Sequence, residues 1–192
     1  TRRNFLKTTA AVAAGATLAA PAVHAQSKPG KKYRTALIGS GWWGKVITEM
    51  AIADGSADVV AVCDVDLTHA ENARKAFGGK AAVYQDYRRV LDRPDVDVVI
   101  NGTPDHWHAM IAIAACQAGK DIYQEKPITF TIKESIKVAE AVRANDVIFA
   151  TGSQQRSDSN YQHTIKMVKN EAIGKLKEVW AYVGPGPAPY DL

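Results

Sequence analysis

Cysteine is scarce in this chain of 192 residues: there are two, and neither belongs to a spacing that a metal site or a disulfide framework would use. Cys63 and Cys116 lie in the apolar runs VVAVCD and IAIAAC and are expected to be buried free thiols. An excess of charge is nearly absent too. The formal net charge is +4, and Arg2, Arg3 and Lys7 supply three of those charges in a leader that holds no acid. The rest of the chain is close to neutral, so no nucleic-acid partner is expected. No apolar run reaches the roughly 20 residues of a bilayer-spanning helix, which argues against a stable membrane anchor. Apolar residues at 46% and charged residues at 23% exclude a disordered, collagenous or mucin-like chain. No internal repeat is evident.

The leader itself is informative. Thr1-Arg2-Arg3-Asn4-Phe5-Leu6-Lys7 precedes a weakly hydrophobic run of small residues from Thr8 to Ala20 and then Pro21-Ala22-Val23-His24-Ala25. A charged segment, an apolar segment and a small-residue cleavage site make an export signal. Its paired arginines before x-Phe-Leu-Lys resemble a bacterial twin-arginine signal, which is read by an export machinery that carries folded proteins. We therefore expect a signal peptide over 1–25, a Ser/Pro/Gly/Lys linker over 26–32, and periplasmic or exported localisation.

From Tyr33 onward apolar runs alternate with helical patterns. Strands are expected at 35–38, 58–63, 82–84, 96–101, 121–124 and 147–151. Helices are expected near 45–53, 68–77, 87–91, 108–118 and 132–144, the last striped by Ile132, Ile136, Ala139 and Val142. Near-continuous Val/Ile strands between such helices indicate an α/β fold whose parallel sheet is covered by helices on both faces. A helix over 160–172, with Tyr161, Ile165, Val168 and Ala172 on one side, and a strand over Lys177–Val183 then read as the start of a second, α+β domain. The first domain is assigned to 33–156 and the second to 157–192. Because the chain starts at Thr1 and stops at Leu192 within that new structure, it is expected to be a piece of a longer protein.

Gly39-Ser40-Gly41-Trp42-Trp43-Gly44 follows the first strand and opens the first helix. In that context the glycines have separate tasks: Gly39 for the turn, Gly41 for approach of a pyrophosphate to the backbone, and Gly44 for close packing of helix on strand. The anion would rest on unpaired amides of the helix start. Asp64, twenty residues past Gly44, is placed to accept from both ribose hydroxyls and to repel a 2′-phosphate. NAD is thus expected over NADP, although Arg74 and Lys75 leave some room for the latter. Trp42 and Trp43 either line the nicotinamide side or simply pack.

Ligands of open parallel sheets bind beyond the carboxyl ends of the strands, and three polar clusters fall there: Thr103-Pro104-Asp105-His106-Trp107-His108, Gln124-Glu125-Lys126-Pro127 and Gly152-Ser153-Gln154-Gln155-Arg156. His106 and His108 spell His-x-His, but without a third ligand nearby no metal is expected. Gln155 and Arg156 are candidates for binding substrate hydroxyls or a carboxylate, with His106 beside them as a further candidate.

The glycine loop, an Asp at the second strand end, Thr-Pro-x-x-x-His and Glu-Lys-Pro, in this order, resemble the Gfo/Idh/MocA family, and the resemblance covers residues 33–192. It implies a Rossmann-type dinucleotide domain and an oxidoreductase acting on a sugar, polyol or glycoside with tightly held NAD. It implies that Lys126 sits near the nicotinamide as the catalytic group, and that Thr103, Pro104 and His108 line the cofactor. Glu125 would orient Lys126, contact the ribose or form an ion pair. A homo-oligomer is expected for the full-length protein, and a downstream Asp and His, beyond this chain's end, for the proton relay. Two other activities share these residues: an NAD-dependent glycosidase working by transient sugar oxidation, and a nucleotide-binding protein without catalysis.

Overall fold

The computed structural model describes residues 30–182 and 184. The leader, most of the linker and the last residues of the chain lie outside the described residues. Six strands and the helices between them follow the expected order: β1 (Tyr33–Ile38), α1 (Trp42–Ala53), β2 (Ala57–Cys63), α2 (Leu67–Ala76), β3 (Ala82–Tyr84), α3 (Tyr87–Leu91), β4 (Val98–Asn101), α4 (Asp105–Gln117), β5 (Asp121–Gln124), α5 (Ile132–Asn145) and β6 (Phe149–Thr151). A 3-10 turn at Gln154–Arg156 leads into α6 (Ser159–Lys169).

All pairings are parallel, and the strand order is β3-β2-β1-β4-β5-β6. The two half-sheets run outward from β1, so the helices of one half cover one face and those of the other half the opposite face. The cores show this directly. Leu37, Val59, Val62 and Ile100 pack with Ile47 of α1 and with Ala70 and Ala73 of α2. On the other side Ala36, Ile38, Ala61, Cys63 and Val99 pack with Val90 of α3 and with Ile111, Ala115 and Cys116 of α4. Side chains alternate along a strand, yet Val59 and Val62, three apart, face the same core. The register shift opposite Thr35/Ala36 explains it, because Val60 is an extra residue on β2.

Several expectations change. Helix α4 begins at Asp105, so four of the six residues of the Thr103–His108 cluster form the first turn of a helix and not a loop. Strands β4 and β6 each start two residues late. In α5 the expected stripe holds only in part: Val142 packs as expected, beside the buried Val138, while Ile132 and Ile136 are exposed. Apolar residues occupy two adjacent faces of α5, and spacing alone does not choose between them. Lys177–Tyr182 forms no strand. A strand needs a ladder partner for its amides and carbonyls, and this segment pairs with neither sheet edge, leaving Val179, Trp180 and Tyr182 exposed. Helix α6 likewise exposes Tyr161 and Ile165.

The start of α5 is set by a reciprocal cap. Thr131 Oγ1 accepts from the Glu134 amide at 3.2 Å, and Glu134 Oε2 accepts from the amides of Thr131 at 2.8 Å and Phe130 at 3.0 Å. Thr131→Ala is expected to lower stability by about 1 kcal/mol, read as a lower urea midpoint at unchanged m-value in the full-length protein.

Candidate functional site

Strand order reverses between β1 and β4, and the crevice of such a sheet opens there, beyond the carboxyl ends. Backbones crowd at that point. Gly39 has φ +84°, and a Cβ on it would meet the Thr103 nitrogen at 2.5 Å and the Gly102 carbonyl carbon at 2.6 Å. A Cβ on Gly44 would run into the Gly39 carbonyl oxygen, and one on Gly102 would lie 2.9 Å from the Gly44 Cα. Gly41 differs. Its φ is −63°, and no atom lies within 4 Å of the position of a Cβ. The fold does not need glycine at 41; an open backbone there serves something that comes from outside. Gly41 is also the N-cap of α1 and offers no side-chain cap, so the first-turn amides are left for an anion.

Asp64 stands beside this turn. Its Oδ2 accepts from the Ser40 amide at 2.8 Å and from Ser40 Oγ at 3.3 Å, and its Oδ1 accepts from the Asp66 amide at 3.0 Å. An ionised carboxylate has about four acceptor sites, so the bonds that fix its position leave capacity for a ligand hydroxyl. Beyond Asp64 a cavity of about 310 Å³ is lined by Val65, Gln85, Tyr87, Thr103, His106 and Trp107, among others, with the Tyr87 and Trp107 rings edge to face at 6.4 Å. Such a mostly apolar slot suits a flat aromatic base. Cys63 borders it as an inert thiol: burial, then the charges of Asp64 and Asp86, push its pKa up to about 12.

The other end of the crevice carries Lys126. An open cleft of about 850 Å³ runs from Asp64, Asp66 and His69 past Gly41 and Trp42 to Glu125, Lys126 and Gln155. Lys126 is exposed in it, whereas Glu125 is buried at 3% exposure. Glu125 Oε2 accepts from the Lys126 amide at 3.2 Å, and its Oε1 accepts from the Gln154 side chain. Gly152 makes room for that carboxylate, since a Cβ there would sit 2.5 Å from Oε1. Burial, reinforced by the Glu125 charge, raises the pKa of the Tyr123 phenol, against a hydrogen bond with Gln154 that lowers it. One strand over, Asn101 Nδ2 donates to Gln124 Oε1 at 3.0 Å, and Asn101 Oδ1 accepts from Thr103 Oγ1 at 2.7 Å.

The structure thus brings Gly39, Gly41, Trp42, Trp43, Asp64, Thr103, Pro104, Glu125, Lys126 and Gln155 onto one cleft, with Ser40 buried behind it and Gly44 beneath. Trp42 lies open on the cleft at 75% exposure; Trp43 packs on the core, its indole N–H buried without a partner. His106 lines the base slot, away from Lys126, and Arg156 is not among the residues lining the cleft. His108 is 1% exposed with both ring nitrogens on backbone carbonyls, so it stands behind the cleft wall and not on it. Among the described residues no group of three His, Cys, Asp or Glu side chains could hold a metal. Sequence reasoning placed Gly152 and Gln154 in the third polar cluster without giving them a role, and passed over Asn101. Adjacent glutamines look equivalent in a sequence, and only the 3-10 turn decides that Gln154 points to Glu125.

A glycine turn with an uncapped helix start, a carboxylate at the second strand end and a flat apolar slot fit a dinucleotide. Comparisons with known proteins agree. The model of an oxidoreductase family with an NAD-binding Rossmann fold matches residues 33–153, and that of the twin-arginine translocation pathway signal matches residues 1–19. The chain is similar to the levoglucosan dehydrogenase of Pseudarthrobacter phenanthrenivorans, 36% identical over 62% of this chain and 30% of that protein. It is 28% identical to the myo-inositol 2-dehydrogenase of Thermotoga maritima over 83% of this chain and 47% of that protein. The crystal structure of scyllo-inositol dehydrogenase from Lactobacillus casei with bound NAD(H) and scyllo-inositol superposes with a TM-score of 0.67, at 26% identity over 75% of this chain and 43% of that one. The chain therefore spans less than half the length of these relatives.

Two glycine substitutions separate fold from ligand. Gly152→Ala must push the Glu125 carboxylate off Gln154 and is expected to cost about 1–3 kcal/mol. Gly41→Ala is expected to stay within about 0.5 kcal/mol of wild type. Thermal and urea unfolding of the full-length protein without nucleotide checks both.

Proposed function

Because the chain belongs to the Gfo/Idh/MocA oxidoreductase family, we propose that the whole protein is an NAD-dependent dehydrogenase that oxidises a secondary hydroxyl of a cyclic sugar or polyol. The observation that carries this reading is the continuity of the cleft, which joins the Asp64 carboxylate and the bare Gly41 backbone at one end to Lys126 at the other. Bound NAD supplies the hydride acceptor. The chain's own residues do the rest. Asp64 accepts from the ribose hydroxyls, and the α1 amides hold the pyrophosphate. Lys126 binds the substrate hydroxyl at Nζ and takes its proton as the carbon–hydrogen bond gives up its electron pair. Glu125 and Gln154 hold the loop that carries Lys126. Gln155, on the same cleft, offers an amide to a neighbouring hydroxyl. Inositols and anhydrosugars, the substrates named for the relatives, are the class to try first.

NAD is favoured over NADP by charge. Asp64 and Asp66 would both lie near a 2′-phosphate, and among the described residues no Lys or Arg forms an ion pair with Asp64, whose only such neighbour is the imidazole of His69 at 4.0 Å. Asp64→Ala is expected to weaken NAD binding about tenfold, the loss of one or two hydrogen bonds, and to narrow the preference over NADP. Fluorescence titration with both nucleotides measures it.

The twin-arginine signal fits this chemistry. A protein exported folded carries its cofactor with it, and the periplasm offers no NAD pool to replace it. We propose a periplasmic enzyme that retains NAD and recycles it between a donor and an acceptor.

The decisive experiment takes full-length protein purified without added nucleotide, identifies any bound dinucleotide by mass spectrometry, and follows the reduced-nicotinamide band on adding inositols and anhydrosugars. Reduction that persists until an acceptor is supplied is expected, and Lys126→Met should slow it about 10²–10⁴-fold with NAD still bound. Cleavage of an aryl glycoside without lasting reduction would move the assignment to an NAD-dependent glycosidase. Failure to bind any dinucleotide would overturn both.

A further inference from the structure

The buried ring of His108 is used by nothing so far described, and its two contacts are unusual. It sits in the first turn of α4 at 1% exposure. Nδ1 lies 2.5 Å from the Pro127 carbonyl oxygen, and Nε2 lies 2.8 Å from the Thr103 carbonyl oxygen. A carbonyl oxygen only accepts. A neutral imidazole has one donor and one acceptor nitrogen, so the ring donates to one of these carbonyls and packs its other edge against the second.

The two carbonyls belong to the two loops that matter. Thr103 follows Gly102, whose backbone is packed against Gly39 and Gly44, and Thr103 is itself bonded to Asn101. Pro127 follows Lys126. The Lys126 amide is already tied to Glu125 Oε2, so the residue has a tether on its own amide and another one residue later. Through the ring, the glycine turn and the lysine loop become one body: Gly39 on Thr103, Thr103 on His108, His108 on Pro127. Asn101, from β4, donates weakly to the His108 carbonyl at 3.5 Å, and no ion pair among the described residues includes the ring.

We propose that His108 is a positioning residue for Lys126, its rigid ring seated between the Thr103 and Pro127 carbonyls so that the lysine is held at a fixed distance from the dinucleotide turn. This rests on the dehydrogenase reading only for Lys126 being the working group. A histidine in that place does what a lysine or glutamine cannot, because its two nitrogens point in fixed directions from a rigid ring.

The test uses the full-length protein. With ring-¹⁵N-labelled histidine, a His108 ring N–H should be visible and protected from exchange with water. His108→Gln keeps a donor for one carbonyl and His108→Leu keeps none, so kcat should fall in that order, by about 10- to 100-fold for Leu, while the NAD dissociation constant changes less than threefold. Amide hydrogen exchange at Lys126 should quicken in both variants. A purely structural histidine would lower the melting temperature without this split between kcat and NAD binding. The proposal is overturned by a His108 ring N–H that exchanges freely with water in the wild type, by unchanged kcat in a folded His108→Gln protein, or by unchanged exchange at Lys126. If wild type reduces no NAD with any polyol, the dehydrogenase reading fails, and the ring spectrum and Lys126 exchange still decide the role of His108.

Discussion

Three pieces of backbone meet at the centre of this fold with no side chain between them, and the rest of the site depends on that approach. Gly39 ends β1, Gly44 lies in the first turn of α1, and Gly102 ends β4; a methyl group on any of the three would overlap the backbone of another or of Thr103. Interiors at native packing density cannot absorb an extra atom at such a place without moving an element. The approach brings α1 down onto the carboxyl ends of β1 and β4. It thereby sets the depth of the crevice and directs the Thr103 loop toward the ring of His108. Gly41, in the same short motif, carries no such duty.

The second constraint is polar. Asn101, Gln124, Glu125, Ser40 and His108 are all buried at the carboxyl edge of the sheet, where apolar strands would be cheaper. Buried polar groups are tolerable when partnered, and these are partnered with one another or with the backbone. The bonds run across strands, Asn101 to Gln124 and Glu125 to Gln154, and so they fix the loops that emerge there relative to each other. A network of this kind gives up some stability relative to a packed apolar edge, and in return the cleft residues gain fixed places.

Much of this was legible in the sequence because the signals were local. Strand β3 and helix α3 fall on the residues expected from apolar runs and turn residues, and the glycine spacing located the crevice. What was not legible depended on rotation or on partners. The face that α5 buries is chosen by the whole sheet beneath it, so Ile132 and Ile136 misled. Lys177–Tyr182 has the composition of a strand, but composition does not supply a neighbouring edge. His108 was expected on the cofactor surface because its motif resembles that of a cofactor loop; an early helix start at Asp105 turns its ring inward instead. Gln154 and Gln155 differ only in the direction a single 3-10 turn gives them, and no pattern of residue types encodes that.

The two cysteines bear on the export route. Cys63 is 2% exposed and Cys116 fully buried, and burial raises the pKa of both thiols. Thiolate is the form that oxidises or exchanges, so the folded domain is protected in an oxidising compartment, while an unfolded chain would present both thiols to it. Threading this chain unfolded through a membrane would expose them at the moment of arrival and would also strip any bound nucleotide. Export in the folded state, as the twin-arginine signal implies, removes both hazards at once. Under the proposed retention of NAD, the demand passes back to the fold: the crevice takes up its cofactor in the compartment where the chain is made. A cleft whose glycine turn, carboxylate and loops are bonded to one another by the chain's own groups is suited to that order of events.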